Sequence, residues 1–277
     1  ASWALSTTQM TDSVVLADEE RKRLGQFFSG DPLSLLLAHL ASTSAIHSAI
    51  DPMVGLGDML EAVRNSGSQS CQLTGIEIDP EAAKACRDRL TAFDSELVEV
   101  LVADAFNPST WTTYCDVAWD LVITNPPYVR YQRTARPATS RVRQPDATET
   151  RSGLKSILEE RTALPIEERL AFSALADQYS GLSDLAVPSW ILCASLVAPG
   201  GRLAMVVPDT WLSRDFATPI LYLLERFFEL EIVVEDGQAR WFADADVRTN
   251  LVIARRVLDT GSGIHKDGTG HLKVRLE

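Results

Sequence analysis

Four places in the sequence put hydrogen-bonding or aromatic groups where an apolar run stops: Asp51, Glu77, Asp104 and the run Asn125-Pro126-Pro127-Tyr128. The three carboxylates fall at the carboxyl ends of the short stretches "SAIHSAID", "CQLTGIEID" and "ELVEVLVAD". Glu77 follows Asp51 by 26 residues, and a carboxylate there can accept hydrogen bonds from both hydroxyls of a ribose. Asp104 can accept from the amino group of an adenine, with Phe106 or Ile78 packed against the ring. Gly55 and Gly57 let backbone and ligand approach closely between the first two acids. Taken singly, each acid reads first as a helix cap or a surface charge. Together, at successive strand ends and behind a glycine turn, they point to a nucleoside.

The fourth place adds a different capability. An asparagine oxygen accepts one N–H, and a carbonyl of the proline pair can accept a second. Proline fixes φ, so these acceptors are held in place. The Tyr128 ring offers a stacking face for a planar group. Such a set suits a primary amine on a flat conjugated system. Two acceptors favour the tetrahedral nitrogen whose lone pair can attack a methyl sulfonium, and the proton leaves afterwards without a charged base. The structural alternative is a type VI or other proline turn with Tyr128 as a packing residue.

The glycine turn itself, "DPMVGLGDML", is neither the dinucleotide fingerprint GxGxxG nor a P-loop with its Lys-Ser/Thr. A ligand without phosphates, held by its ribose and base, fits it better. S-adenosylmethionine (SAM) is such a ligand.

Positioning these groups requires a sheet. Strands are expected at "SAIHSAID", "CQLTGIEID", "ELVEVLVAD", "WDLVITN" and "PGGRLAMVVP", with helices at "MLEAVRNS", from Pro80 through "EAAKACRDRLTAF", and at "SDLAVPSWILCASLVA" with Pro188 as an irregularity. "TWLSRDFATPILYLLERFF" reads as helix interrupted at Pro219, and "ELEIVVED" and "VRTNLVIARRV" as closing strands. Strands separated by helices imply parallel pairing through crossovers. The last two, joined by a short loop without a helix, are expected to run antiparallel. The expected fold is α/β: a doubly wound, Rossmann-like, mostly parallel seven-stranded sheet with an antiparallel last strand. Residues 129 to about 165 fit nothing regular apart from a helical hint at "LKSILEE". "TGSGIHKDGTG" reads as a flexible linker, and no internal repeat is present.

Composition narrows the class. The 277 residues are 45% hydrophobic and 23% charged, as in soluble globular proteins. No apolar run is long enough to span a bilayer, and the opening "ASWALSTTQMTDSVV" lacks the pattern of a signal peptide. Cys71, Cys86, Cys115 and Cys193 are scattered, which predicts reduced cysteines in a cytoplasmic protein and no metal site. The chain begins without Met and ends in "HLKVRLE", a strand cut short, so a piece of a longer protein is expected. The net charge of -12 argues against a free-standing binder of the phosphate backbone. Residues 129–143 are a local exception, with Arg130, Arg133, Arg136, Arg141 and Arg143 and no acid.

"DPMVGLGDML", "GIEIDP", "VADAF" and "DLVITNPPYVRYQ" resemble, in order and spacing, the motifs of SAM-dependent amino-methyltransferases. "RKRLGQFFSGDP" is similar to the family's N-terminal SAM-contacting segment, and "SDLAVPSWILCASLVAPGGRLAMVVPDTWLSRDF" to the stretch after NPPY in gamma-order N6-adenine DNA methyltransferases of type I and type IIG restriction-modification enzymes. The resemblance runs from about Arg21 to Val257. It implies that Gly25, Gln26 and Phe27 cover SAM, that Asp51 and Gly55 border its methionine part, that Glu77 holds the ribose, and that Ile78, Asp104 and Phe106 frame the adenine. Asn125 and Pro126 bind the target amine on the rigid Pro126-Pro127 pair, Tyr128 stacks on the target base, and Phe242, with Trp241 as alternative, packs on its opposite side. Leu56, Met53 and the segment Ser29-Gly30-Asp31 depart from the family pattern around the cofactor.

On this reading residues 1–45 form a helical segment with the SAM-covering motif, and 46–257 the catalytic domain with a long Arg-rich insert at 129–165. Residues 258–277 form a linker or the start of a further region. The expected reaction is methylation of the N6 amine of adenine in DNA, within restriction-modification or phage defence. DNA would be reached through a target-recognition region or a separate specificity subunit, with contacts from Arg130, Arg133 and Arg136. The alternatives are methyl transfer to RNA or to protein glutamine by an NPPY enzyme, and a SAM-binding scaffold without activity.

Overall fold

The computed structural model describes residues 30–42, 46–68, 70–91, 95–127, 145–178, 185–209, 218–236, 248–258 and 272–276. Along the chain come α1 (Gly30–Ala41), β1 (Ser48–Asp51), α2 (Asp58–Asn65), β2 (Gln72–Glu77), α3 (Pro80–Thr91), β3 (Val98–Val102) and β4 (Trp119–Thr124). Then come α4 (Ala147–Glu160), α5 (Ile166–Gln178), α6 (Ala186–Leu196), β5 (Val197–Pro208), α7 (Thr218–Phe227), β6 (Phe228–Asp236), β7 (Thr249–Arg256) and β8 (Leu272–Leu276).

The strands form one sheet in the order β3-β2-β1-β4-β5-β7-β6-β8. Pairing is parallel from β3 through β5, and β7 runs antiparallel to both β5 and β6. The antiparallel closure by β7 matches expectation. The terminal "HLKVRLE", read as a strand cut short, supplies β8, which pairs parallel with β6; among the described residues the sheet therefore has eight strands, one more than the seven expected. Strand β8 lies within 258–277, the stretch expected to be a linker or the start of a further region.

Alternation along each strand supplies two cores, one on each face. Ile50, Val122, Leu203, Met205 and Val252 face a layer that includes Leu154 of α4, Phe172 of α5, Trp190 of α6 and Leu223 of α7. Ala49, Leu121, Ile123, Ala204 and Ile253 face Leu37 of α1, Leu60 of α2 and Leu90 of α3. Helix α6 is buried on every side, which explains its nearly continuous apolar sequence. Pro188 falls in its first turn, where a missing N–H breaks no intrahelical bond. Pro219 likewise sits in the first turn of α7 and does not interrupt the described helix. The central β1–β4 pair is clasped at its start by Asp120, whose Oδ2 accepts the N–H groups of His47 and Ser48 at 2.8 and 3.1 Å.

The expectation of an irregular 129–165 does not hold for Ala147–Glu160. Asp146 caps α4 by accepting from Thr148 and Glu149 N–H at 2.8 and 2.9 Å. The Glu149 carboxylate accepts from the Asp146 N–H at 2.9 Å, completing a capping box. Leu154, Ile157 and Leu158, at helical spacing, are buried in the core.

Candidate active site

Strand order decides which groups meet. The ends of β3, β2, β1 and β4 are consecutive in the sheet, so Asp104, Glu77, Asp51 and Asn125 lie along one edge in that spatial order. Three interstrand steps span about 14 Å. The chain leaves β1 toward β2 and β3 and returns to β4 on the other side of β1. That makes a topological switch point at β1/β4, the position at which open α/β sheets bind ligands. Asp51 and Asn125 flank it.

The glycine turn lies inside this edge. Val54 N–H donates to the Ile76 carbonyl at 2.9 Å, and Val54 packs against Gly75, where a Cβ would come within 3.1 Å of it. Gly55 and Gly57 have φ of 55° and 91°, left-handed values that favour glycine. At Gly57 a side chain would also strike Cys86 Sγ of α3 at 2.9 Å. Arg89 of α3 pairs with Asp58 and Glu61 in the first turn of α2, fixing the helix that leaves the turn.

Those two acids have a cation; Asp51 and Glu77 form no ion pair among the described residues. Asp51 is buried, and Oδ1 accepts from Met53 N–H at 3.0 Å. Burial, with a smaller contribution from nearby Glu77 and Asp58, pushes its pKa up to about 7. Glu77 is also buried and raised, chiefly by desolvation. Its Oε2 accepts from Gly55 N–H and its Oε1 from Asp79 N–H, both at 2.9 Å. Each carboxylate oxygen can accept a second bond, so Glu77 is oriented yet retains accepting capacity. Two desolvated acids side by side are the environment that a cation or several hydroxyl donors would relieve.

At the β3 end, Asp104 Oδ1 accepts from Phe106 N–H at 2.8 Å, and Trp111 Nε1–H donates to the Ala105 carbonyl at 2.8 Å. Phe106 is buried, Ile78 is half-buried between the β2 end and α3, and a cleft of about 320 Å³ opens beside Asp104 and Phe106. At the β4 end Asn125 is half-buried and Pro126 buried. The described peptide bonds are all trans, so Pro126 and Pro127 do not form a type VI turn.

The structure thus places Asp51, Gly55, Glu77, Ile78, Asp104, Phe106, Asn125, Pro126 and Pro127 along one edge of the sheet. Gly25, Gln26, Phe27, Tyr128, Arg130, Arg133, Arg136, Trp241 and Phe242 lie outside the described residues. Sequence reasoning missed the contribution of α4, which lines the cleft at Asp104. The signal was available in Asp146-x-x-Glu149 ahead of an apolar i, i+3, i+4 pattern. Among the described residues no His/Cys/Asp/Glu group could hold a metal, and no helix is long and apolar enough to cross a membrane.

A sequence model described as N-6 DNA Methylase matches residues 14–153. No curated protein sequence matches the chain. Among solved structures, the type I restriction-modification system methyltransferase subunit from Streptococcus thermophilus superposes with a TM-score of 0.65 at 15% identity, covering 90% of this chain and 47% of that one. A protein described as a class I S-adenosylmethionine-dependent methyltransferase from Listeria monocytogenes gives 0.59 at 15% identity, over 90% of this chain and 65% of that one. The type IIG restriction endonuclease BpuSI gives 0.55 at 17% identity, over 84% of this chain and 25% of that one. At such identities the likeness concerns the fold, and the chain spans less than two thirds of each relative.

Proposed function

The chain belongs to the N-6 DNA methylase family, and on that premise we propose that it transfers a methyl group from SAM to the N6 amine of adenine in DNA, within a restriction-modification or defence system. The observation that carries the proposal is the gathering, on one sheet edge, of Asp104, two buried carboxylates without a described cation, and the Asn-Pro-Pro segment.

The residues fit SAM in their chemistry. Asp51 meets the demand for a negative group near the cationic methionine end, Glu77 has accepting capacity for ribose hydroxyls, and Asp104 offers an acceptor at the nucleobase end. When bound, SAM supplies a methyl carbon on a positively charged sulfur that departs as a neutral thioether. Asn125 Oδ1 and the Pro126 carbonyl accept the two N–H groups of the target amine. This keeps the nitrogen lone pair out of the ring and directed at the methyl carbon; the surplus proton then passes from the amine to solvent. The target adenine must leave the duplex to reach the edge, with Tyr128 and Phe242 as the proposed stacking partners and Gly25, Gln26 and Phe27 as the proposed cover over SAM. The net charge of -12 supports a reading in which duplex affinity comes from a specificity subunit or further region, assisted by Arg130, Arg133 and Arg136.

The test is Asn125→Ala in the full-length protein, assayed with labelled SAM and DNA followed by digestion to nucleosides. Label appears in N6-methyl-2′-deoxyadenosine with the parent. The variant loses about a hundredfold or more of the rate while its SAM affinity stays within about threefold. Full activity of the variant, or label in another nucleoside, would refute the assignment.

A further inference from the structure

We propose that helix α4 is the closing wall of the pocket for the cofactor's nucleobase, and that Ser152 is the position on it that limits what the base can carry. The inference rests on the SAM reading above and extends it to an element that follows the Asn-Pro-Pro segment.

The cleft at the β3 end has two sides. One is formed by Asp104, Phe106 and Pro108, and the other by Pro145, Glu149, Ser152 and Gly153. Phe106, Pro108 and Pro145 offer flat apolar surfaces, and Asp104 and Glu149 supply polar groups. That combination suits a planar heterocycle with hydrogen-bonding edges.

The distance between the sides is fixed. A Cβ at Gly153 would lie 2.0 Å from the Phe106 carbonyl oxygen, so α4 rests on the β3 loop with no side chain between them. The capping box holds the first turn, and Leu154, Ile157 and Leu158 anchor the opposite face in the core. A wall pinned in this way cannot retreat to admit a larger group.

Ser152 is exposed beside Gly153, and its hydroxyl donates to the Glu149 carbonyl at 3.1 Å within its own helix. Its contribution is its small size. A large ring there would occupy the cleft without disturbing a buried contact.

The experiment measures SAM binding by calorimetry for the parent chain, Ser152→Trp, Ser152→Ala and, on the exposed far end of α4, Glu160→Trp, with thermal melts as a check of folding. Ser152→Trp should weaken SAM by about tenfold or more, whereas Ser152→Ala and Glu160→Trp stay within about twofold. Independently of any variant, S-adenosylhomocysteine with a benzyl group on its exocyclic amine should bind the parent at least about tenfold more weakly than the unsubstituted compound. Parental affinity in Ser152→Trp, or equal affinity for the benzylated and plain ligands, would overturn the role of α4 while leaving the SAM reading intact. Absence of SAM binding by the parent would overturn that reading, and this inference with it.

Discussion

Asp51 shows what a buried carboxylate without a described ion pair costs the protein. Its pKa of about 7 in the fold, against an ordinary value of 3.8, means that between those pH values the folded state holds a proton that the unfolded chain has released. The stabilisation from that proton is complete below the ordinary carboxylate pKa and is lost as pH rises through 7. Asp51→Asn keeps an oxygen for the Met53 N–H and removes the charge. The ligand-free variant should therefore exceed the parent in stability at pH 8 by on the order of a few kcal/mol, with the gap closing by pH 4, and should bind SAM more weakly at pH 8. Denaturant titrations at the two pH values decide this, and parallel pH curves for the two proteins would contradict it. The sequence makes Asp51, Glu77 and Asp104 recognisable because each stands where an apolar strand ends. It does not reveal that Glu77 is oriented by Gly55 and Asp79, since those bonds depend on how the loops fold back.

At the scale of elements, the glycine turn and α4 differ in how far their sequences betray them. "GLG" is a weak motif by local pattern, yet both glycines carry positive φ and Gly57 faces Cys86 across a gap too small for a methyl group. The reason for the second glycine lies 29 residues away on α3, beyond the reach of local pattern. Gly57→Ala should cost about 1–2 kcal/mol from φ alone, with a further contribution from the clash. In a double-mutant cycle with Cys86→Ala, the clash part appears as a coupling and the φ part persists in both backgrounds. A cycle with no coupling would show that Cys86 simply moves aside. Helix α4 is legible through its capping box and apolar spacing, but its Thr, Ser and Arg content and the preceding run of arginines draw the segment toward an irregular reading. Its decisive residue, Gly153, is a poor helix former retained where two backbones meet.

The molecule as a whole separates the edge that carries the candidate site from the opposite end of the sheet. At the far end of the strands, Arg161 donates to the carbonyls of Tyr114 and Val117 at 2.7 and 2.5 Å. Arg256 of β7 pairs with Glu168 of α5 and donates to the Val197 carbonyl at 2.9 Å. Desolvation lowers both guanidinium pKa values, that of Arg161 to about 10. Glu168→Gln leaves Arg256 buried without its counter-charge and should cost about 3–5 kcal/mol, seen as a lower melting temperature. SAM affinity of the folded fraction should not change; a matching loss of affinity would show that the two ends are coupled. The alternation of strands and helices makes the core of the fold readable, and β8 shows in the short alternation of "HLKVRLE". Its place beside β6, by contrast, depends on pairing across the sheet and is not legible in local pattern. The sheet order also constrains how the protein is made. Strand β6 is synthesised before β7 yet lies beyond it, and its sheet neighbours, β7 and β8, both come later in the chain. On the ribosome, β5 and β6 must therefore wait as two open edges with a gap between them. Until Thr249–Arg256 emerges and fills that gap, the nascent chain presents unpaired apolar strands to its neighbours, so biosynthesis is most exposed to aggregation just before β7 is complete.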